Sequence, residues 1–259
     1  CSSDLPLRTL LLAVCCGLAA ACTQRQERLK LMSYNIRNGI GIDNIQDIGR
    51  IARVILREAP DLVALQELDS ATLRVDGRYI PGELGRMTGM HATFGRAIGF
   101  AGGSYGIGLL SRTEPLAVRS IPLPGREEAR VLLMAEFPDY TVCITHLSLT
   151  PEDRLASLPI IREATDTCRK PVLLAGDFNT GNAAAVLAGL GGGFRILSDT
   201  TRMTFPSDNP AVRIDYILGR GLPTSATVAE SAVDHTATAS DHCPLWVTLV
   251  WKRGKQPGK

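Results

Sequence analysis

Apolar runs rich in leucine, isoleucine and valine recur along this chain, and most of them stop at a carboxylate, an amide or a histidine. Leu29 to Asn35 and Leu62 to Glu67 read as short strands. Between them Ile45, Ile48, Ile51, Ala52, Ile55 and Leu56 fall at helical spacing until Pro60 closes the helix. A strand, a helix and a strand of this size form a crossover, which brings Asn35 and Glu67 out on one sheet edge. Further strands are expected over His91 to Arg96, Gly106 to Ser111, Leu116 to Ile121, Val131 to Phe137 and Tyr140 to His146. Thr150-Pro151-Glu152-Asp153 reads as a helix start, with a cap residue, a first-turn proline and acids that complement the dipole. Pro159 is expected to kink or divide that helix. Strands ending at Asp177 and Leu218, and one that follows His242, are expected to complete a second sheet.

Composition adds an amino-terminal segment of a different kind. Arg8 precedes a 13-residue apolar stretch, Leu10 to Cys22, too short for an ordinary membrane span and suited to the hydrophobic region of a secretory signal. It ends in Leu18-Ala19-Ala20-Ala21-Cys22, a loose lipoprotein-type cleavage site with Cys22 as the residue to be lipidated. The expectation is an exported protein held at the cell envelope by a lipid anchor, with a plainly cleaved signal as the alternative. Residues 1–28 are then leader and linker, 29–250 one domain and 251–259 a basic tail. No internal repeat or linker divides the chain, and a monomer is expected. The 45% hydrophobic content suits a substantial core, and a net charge of +2 gives little steering toward nucleic acid. Outside the leader, Cys143, Cys168 and Cys243 show no zinc spacing; Cys143 and Cys243 read as buried thiols, and a disulfide between two of the three stays open.

Strand ends are where α/β enzymes keep their reactive groups, so the polar residues that end the runs become the candidates. Leu173 to Asn179 places a carboxylate and an amide two residues apart, and strand alternation would point Asp177 and Asn179 the same way. Asp supplies a hard anionic oxygen, while Asn supplies neutral donors for a phosphoryl oxygen. Alone, such a pair is more often a turn or a helix cap. His242 suits proton transfer near neutral pH if a partner holds its other nitrogen, and Asp215 is the expected partner. Alternation over Arg213 to Leu218 sets Ile214, Tyr216 and Leu218 on one face and Asp215 on the other. The plain alternatives are a satisfied loop histidine and a salt bridge from Asp215 to Arg213 or Arg220. Glu67, leaving a buried strand, suits magnesium, which takes one or two carboxylates and keeps several waters. A solvated loop charge is the alternative there.

Taken in order, Asn35, Glu67, His146, Asp177-Phe178-Asn179, Ile214-Asp215-Tyr216 and Ser240-Asp241-His242 resemble the motifs of the endonuclease/exonuclease/phosphatase superfamily. The likeness runs from about Leu29 to Val250. It implies an α/β fold, a four-layer αββα sandwich of two packed mixed β-sheets flanked by helices, which hydrolyses a phosphoester with Mg2+, or Mn2+ in its place. Residue by residue, Glu67 with Asn35 resembles the magnesium site, and Asp241 a further metal-site or water-orienting carboxylate. Asp177 is similar to the carboxylate that positions or deprotonates the attacking water. Asn179 and His146 resemble the groups that bind the scissile phosphate, and His242, held by Asp215, the general base or the transition-state stabiliser. Tyr105 resembles a position that borders the phosphate, with a packing role as the alternative. Arg130, which opens an apolar strand, is set to meet either substrate or a buried carboxylate.

Departures from the subfamilies bear on substrate. Apurinic endonucleases typically place a lysine directly after the Glu67-like residue, whereas Leu68-Asp69 stands here, and no basic insertion interleaved with aromatics is present to grip a duplex. The expectation is therefore a phosphodiesterase acting on a lipid head group or another small extracytoplasmic phosphoester. A sequence-neutral nuclease and an inactive phosphate-binding module are the alternatives.

Overall fold

The computed structural model describes residues 26–252. The leader, Cys22 and the last seven residues lie outside the described residues. The chain begins with the expected crossover: β1 (Gln26–Asn35), α1 (Ile48–Glu58) and β2 (Leu62–Ser70), with β1 and β2 parallel. α1 starts later than its apolar spacing suggests because Asp47 caps it, accepting from the Arg50 N–H; Ile45 stays outside the helix and exposed. Helix α2 (Ile80–Thr88) then leads into β3 (His91–Phe100) and β4 (Gly103–Ser111). The second half runs β5 (Ala117–Leu123), β6 (Arg130–Glu136), β7 (Thr141–His146), α3 (Pro151–Asp166), β8 (Val172–Asp177), α4 (Ala183–Leu190), β9 (Arg195–Ile196) and β10 (Asp215–Arg220). It ends with β11 (Thr227–Val233) and β12 (Leu245–Lys252).

Two six-stranded sheets result, ordered β11-β12-β1-β2-β4-β3 and β5-β6-β7-β8-β10-β9. Their inner faces bury Leu31, Ala64 and Leu109 against Leu133, Ile144, Leu173 and Ile217. Helices α1 and α2 cover the outer face of the first sheet through Ile51, Ile55 and Leu84, and α3 and α4 cover the second through Leu158, Ile161 and Leu190. This is the four-layer αββα sandwich. Each sheet holds one parallel pair, β1 with β2 and β7 with β8, made by a helical crossover, and β1 packs across the core from β8.

Four expectations need correction. The strand after His242 joins the first sheet, beside β1, because Leu245, Val247 and Leu249 complete the inner face there. Pro159 does not divide α3, which runs unbroken while Leu158 and Ile161 on either side of the proline hold it to the sheet. The strand after Arg213 starts only at Asp215. β1 and β12 pair out to Gln26 and Lys252, so Trp251 and Lys252 belong to the sheet rather than to a tail. Cys143, Cys168 and Cys243 are free thiols.

Candidate active site

Register places the second sheet's contribution. His146 pairs with Asp177 across β7 and β8, and Asp215 pairs with Asp177 across β8 and β10. Cross-strand neighbours share a face, so the three side chains form a row on the inner face at the strand ends. The first sheet supplies Asn35 at the end of β1, with Ser240 Oγ donating to the Asn35 carbonyl at 2.8 Å. Asn35 pairs with Gln66, not Glu67, so simple alternation would send Glu67 to the helix-covered side. A bulge between Leu65 and Leu68 adds a residue, and Glu67 takes φ +58, which turns its carboxylate back to Asn35. A left-handed glutamate costs backbone strain, and such strain is concentrated at functional sites.

Asn35 joins the two sheets. Its Nδ2 donates to Glu67 Oε1 at 2.9 Å and to Asp177 Oδ2 at 3.1 Å, while its Oδ1 accepts from the Arg37 N–H at 3.1 Å. The backbone donor fixes which amide atom is the oxygen, so the NH2 group faces the carboxylates. Its two hydrogens are then spent, and the 3.4 Å approach to His242 Nε2 is not a third bond. The Asn35 NH2 group clamps the two carboxylates, while its Oδ1, holding one hydrogen bond, keeps a second lone pair.

Asp177 Oδ2 is the point of convergence: His146 Nε2 lies 3.6 Å away and His242 Nε2 3.7 Å away. Asp177 Oδ1 accepts the Asn179 N–H at 2.8 Å. Asn179 has left the strand, with φ +50, and its Nδ2 donates to the Leu147 carbonyl at 2.8 Å. It therefore reaches the site through a turn and not by strand alternation. His242 Nδ1 meets Asp215 Oδ2 at 3.0 Å, and Phe205 packs on the imidazole with ring centroids 4.8 Å apart. Neither Arg213 nor Arg220 takes Asp215: Arg213 donates to Ser198 Oγ and to the carbonyls of Asp199 and Arg202, and Arg220 pairs with Asp166. Asp241 pairs with Arg37 at 3.5 Å, at the rim.

Charges follow from this packing. Burial and the nearby Asp215 charge push the Asp177 carboxyl up to about 7, against His242 and the N–H donors of Asn179 and Asn35. Burial opposes a charged His242, but the Asp215 charge and hydrogen bond, aided by Asp177 and Asp241, raise it to about 10. Burial, then the Arg130 and His242 charges, hold His146 well below the ordinary imidazole value.

Tyr105 lies inside, its hydroxyl raised above the usual phenol value by burial and by Glu67 and Glu128, with Arg74 over its ring at 5.4 Å. Arg130 is buried and reaches Glu128 at 2.9 Å, Glu127 at 3.3 Å and His146 Nδ1 at 3.3 Å. It meets two carboxylates and a histidine, but the carboxylates lie toward the surface rather than buried as expected. Glu127, Ser148 and Phe205 were missed from sequence. The Glu127-Glu128-Ala129-Arg130 cluster ahead of an apolar strand was the available signal for the first.

A family model described as the endonuclease/exonuclease/phosphatase family matches residues 32–242. The chain belongs to that family. Comparison with curated proteins gives no match. Among solved structures, an endonuclease/exonuclease/phosphatase from Beutenbergia cavernae is similar with a TM-score of 0.69 at 23% identity, covering 87% of this chain and 72% of that one. A Bacteroides thetaiotaomicron mannosyl-6-phosphatase gives a TM-score of 0.67 at 19% identity, over 85% of this chain and 99% of that one. D. rerio TDP2, complexed with a single-strand DNA product, gives 0.64 at 23% identity, over 86% and 98%. This family member is a phosphoesterase in which Asp177, Asp215 and His242 form a buried cluster with ligand atoms within 4.8 Å of one another, close enough to share a metal ion. Within it, Asp215 Oδ1 is buried without a hydrogen-bond partner.

Proposed function

We propose that this protein is a Mg2+-dependent phosphodiesterase that cleaves a small phosphodiester, such as a lipid head group, by attack of an activated water. Asp177 Oδ2 carries the reading, because burial and the Asp215 charge keep it basic enough to take a proton from water while Asn35, His146 and His242 converge on it and fix its place. Water oxygen bonds to phosphorus as the ester P–O bond breaks; the water proton passes to Asp177, and the leaving oxygen is protonated at the His242 side. His242, held by the Asp215 carboxylate, presents positive charge to the developing negative charge, and His146 donates to a phosphoryl oxygen.

The donor set fits a hard divalent cation. Glu67 brings an anionic oxygen to Asn35 beside Asp177, and magnesium, which takes one or two carboxylates and keeps several waters, suits it better than softer metals that prefer imidazole-rich sets. Asp215 Oδ2 and His242 Nδ1 are already spent on one another, which suits a proton relay. When bound, the cation would neutralise phosphoryl charge. Glu67→Gln is expected to raise the Mg2+ concentration for half-maximal activity roughly 10- to 100-fold with the fold intact; a metal titration that superimposes on the wild type would remove Glu67 from the metal edge.

An exported, lipid-anchored setting is part of this proposal. Its support is the Leu10 to Cys22 segment, and a protein at a membrane surface meets phospholipid head groups and released small phosphoesters. The test is a screen at matched enzyme concentration across phospholipids, sphingomyelin, sugar phosphates, simple phosphomonoesters, RNA and plasmid DNA. Preference for a lipid or small diester is expected. Strong DNA nicking with inert lipids would replace it with a nuclease, and no hydrolysis across the panel would favour a binding module.

Glu127 gives a stability prediction at the same wall. Burial opposes its charge, but donors from Ser148, Leu149 and Arg130 outweigh it and bring the carboxyl down from 4.5 to about 2. A depressed folded value adds stability above pH 4.5 that is lost as pH falls toward 2, and solvent screening at this largely exposed carboxylate keeps the gain small. Urea midpoints for wild type and Glu127→Gln are expected to differ at pH 7 and to converge by pH 2–3. A gap that does not change with pH would contradict this.

A further inference from the structure

Arg130 and His146 are both buried, and Arg130 Nη1 meets His146 Nδ1 at 3.3 Å. A guanidinium can only donate, so Nδ1 must present its lone pair and the ring proton must sit on Nε2. Nε2 is the atom that faces Asp177 Oδ2, at 3.6 Å. The second histidine is held the opposite way. His242 Nδ1 lies 3.0 Å from a carboxylate, Asp215, which only accepts, so that nitrogen carries its hydrogen. Two imidazoles flank one carboxylate oxygen, one anchored by a cation and the other by an anion.

The anchor on the His146 side is itself fixed. Arg130 is held by Glu128 at 2.9 Å and Glu127 at 3.3 Å. Glu127 accepts from Ser148 Oγ and from the Leu149 N–H, both at 2.7 Å, and from Thr150 Oγ1 at 3.2 Å. Thr150 occupies the N-cap position of α3, but its hydroxyl is spent on Glu127 and makes no cap bond. The turn that directly follows His146 thus grips the carboxylate that grips Arg130, so the guanidinium cannot swing away without breaking its bonds to Glu127, Glu128 and His146. With Arg130 on Nδ1, the nitrogen left to face Asp177 is Nε2.

We propose that Arg130 is a positioning residue that locks His146 as the neutral Nε2–H tautomer, making it a fixed hydrogen-bond donor rather than a proton acceptor or an acid. The acceptor class is a non-bridging phosphoryl oxygen. Only that functional half rests on the phosphoesterase reading; the tautomer rests on the Arg130 contact. The arrangement divides the labour between the histidines: His242 carries charge and protons, and His146 holds an oxygen in place.

The test is 15N NMR of the full chain with ring-labelled histidine, His146→Gln assigning the signal, combined with kcat on bis-nitrophenyl phosphate in Mg2+. The wild type is expected to show His146 protonated at Nε2 alone. Arg130→Met, which removes the donor, is expected to lose that single tautomer and to lower kcat roughly 10- to 100-fold with little change in KM. Arg130→Lys, which keeps one donor, is expected to restore the tautomer and most of kcat, and it carries the comparison if Arg130→Met does not fold. A wild-type His146 protonated at Nδ1, or a tautomer unchanged in Arg130→Met, would overturn the assignment. A shifted tautomer with unchanged kcat would overturn its catalytic use. A wild type with the Nε2–H tautomer and no hydrolysis of any phosphoester would count against the phosphoesterase reading alone.

Discussion

Asp177→Asn lowers kcat by about four orders of magnitude under this account, with the folded protein otherwise unchanged. The substitution is nearly isosteric and sits on a fully buried strand end, so β8 and its pairing with β7 and β10 persist. What changes is chemical. The Oδ2 that receives the Asn35 amide and faces both imidazoles is replaced by a group that takes no proton. The amide also removes charge from a site where burial and Asp215 already disfavour it, so folding stability is expected to hold or rise. The paired readout is kcat on a phosphodiester and the urea midpoint. A fall in kcat with an unchanged or higher midpoint supports the role, and activity within tenfold of the wild type would mean that another group takes the proton.

The second large effect concerns the buried Asp215 and His242 pair. His242→Ala is expected to lower kcat by about three orders of magnitude, and Asp215→Asn by a comparable factor, because each destroys the same positioned cation. Their double variant should be little worse than the worse single one. Groups that act as a unit are not additive, and here the 3.0 Å contact makes them one. Losses that multiply across the double variant would show that the two residues act separately.

Much of the site was legible because strand alternation and strand ends are local properties. The inner-face Asp177 and Asp215, the buried Tyr216 and Leu218 opposite, and the pairing of Asp215 with His242 all followed from apolar periodicity and residue chemistry. What failed depended on backbone irregularity or long-range packing. Glu67 reaches Asn35 only through a bulge and a left-handed φ, and no residue pattern in Leu65-Gln66-Glu67-Leu68 announces either. Asn179 lies near Asp177 by turning out of the strand, not by continuing it.

Helix α2 has no strong signal in the sequence because Gly82 and Gly85 are poor helix formers; Ile80 and Leu84 packed on the first sheet override that propensity. Helix α4 is short and alanine-rich, with only Val186 and Leu190 buried, so it shows little periodicity. Strand β11 is an exposed edge with a register shift at Val228 and Glu230, and it is held by β12 rather than by its own pattern. The strand after His242 was recognised but given to the wrong sheet, since a local pattern does not say which partner strand it will meet.

Glu67, clamped to Asp177 by Asn35, would hold a divalent cation at a phosphoester while Asp177 takes the water proton. Hydrolysis of bis-nitrophenyl phosphate by the wild type, followed before EDTA, after EDTA and after adding back Mg2+ or Mn2+, tests it most directly. The account predicts activity that EDTA abolishes, that either ion restores, and that Asp177→Asn lacks in every condition. Hydrolysis that continues unchanged in EDTA, or that Asp177→Asn retains in full, would contradict it.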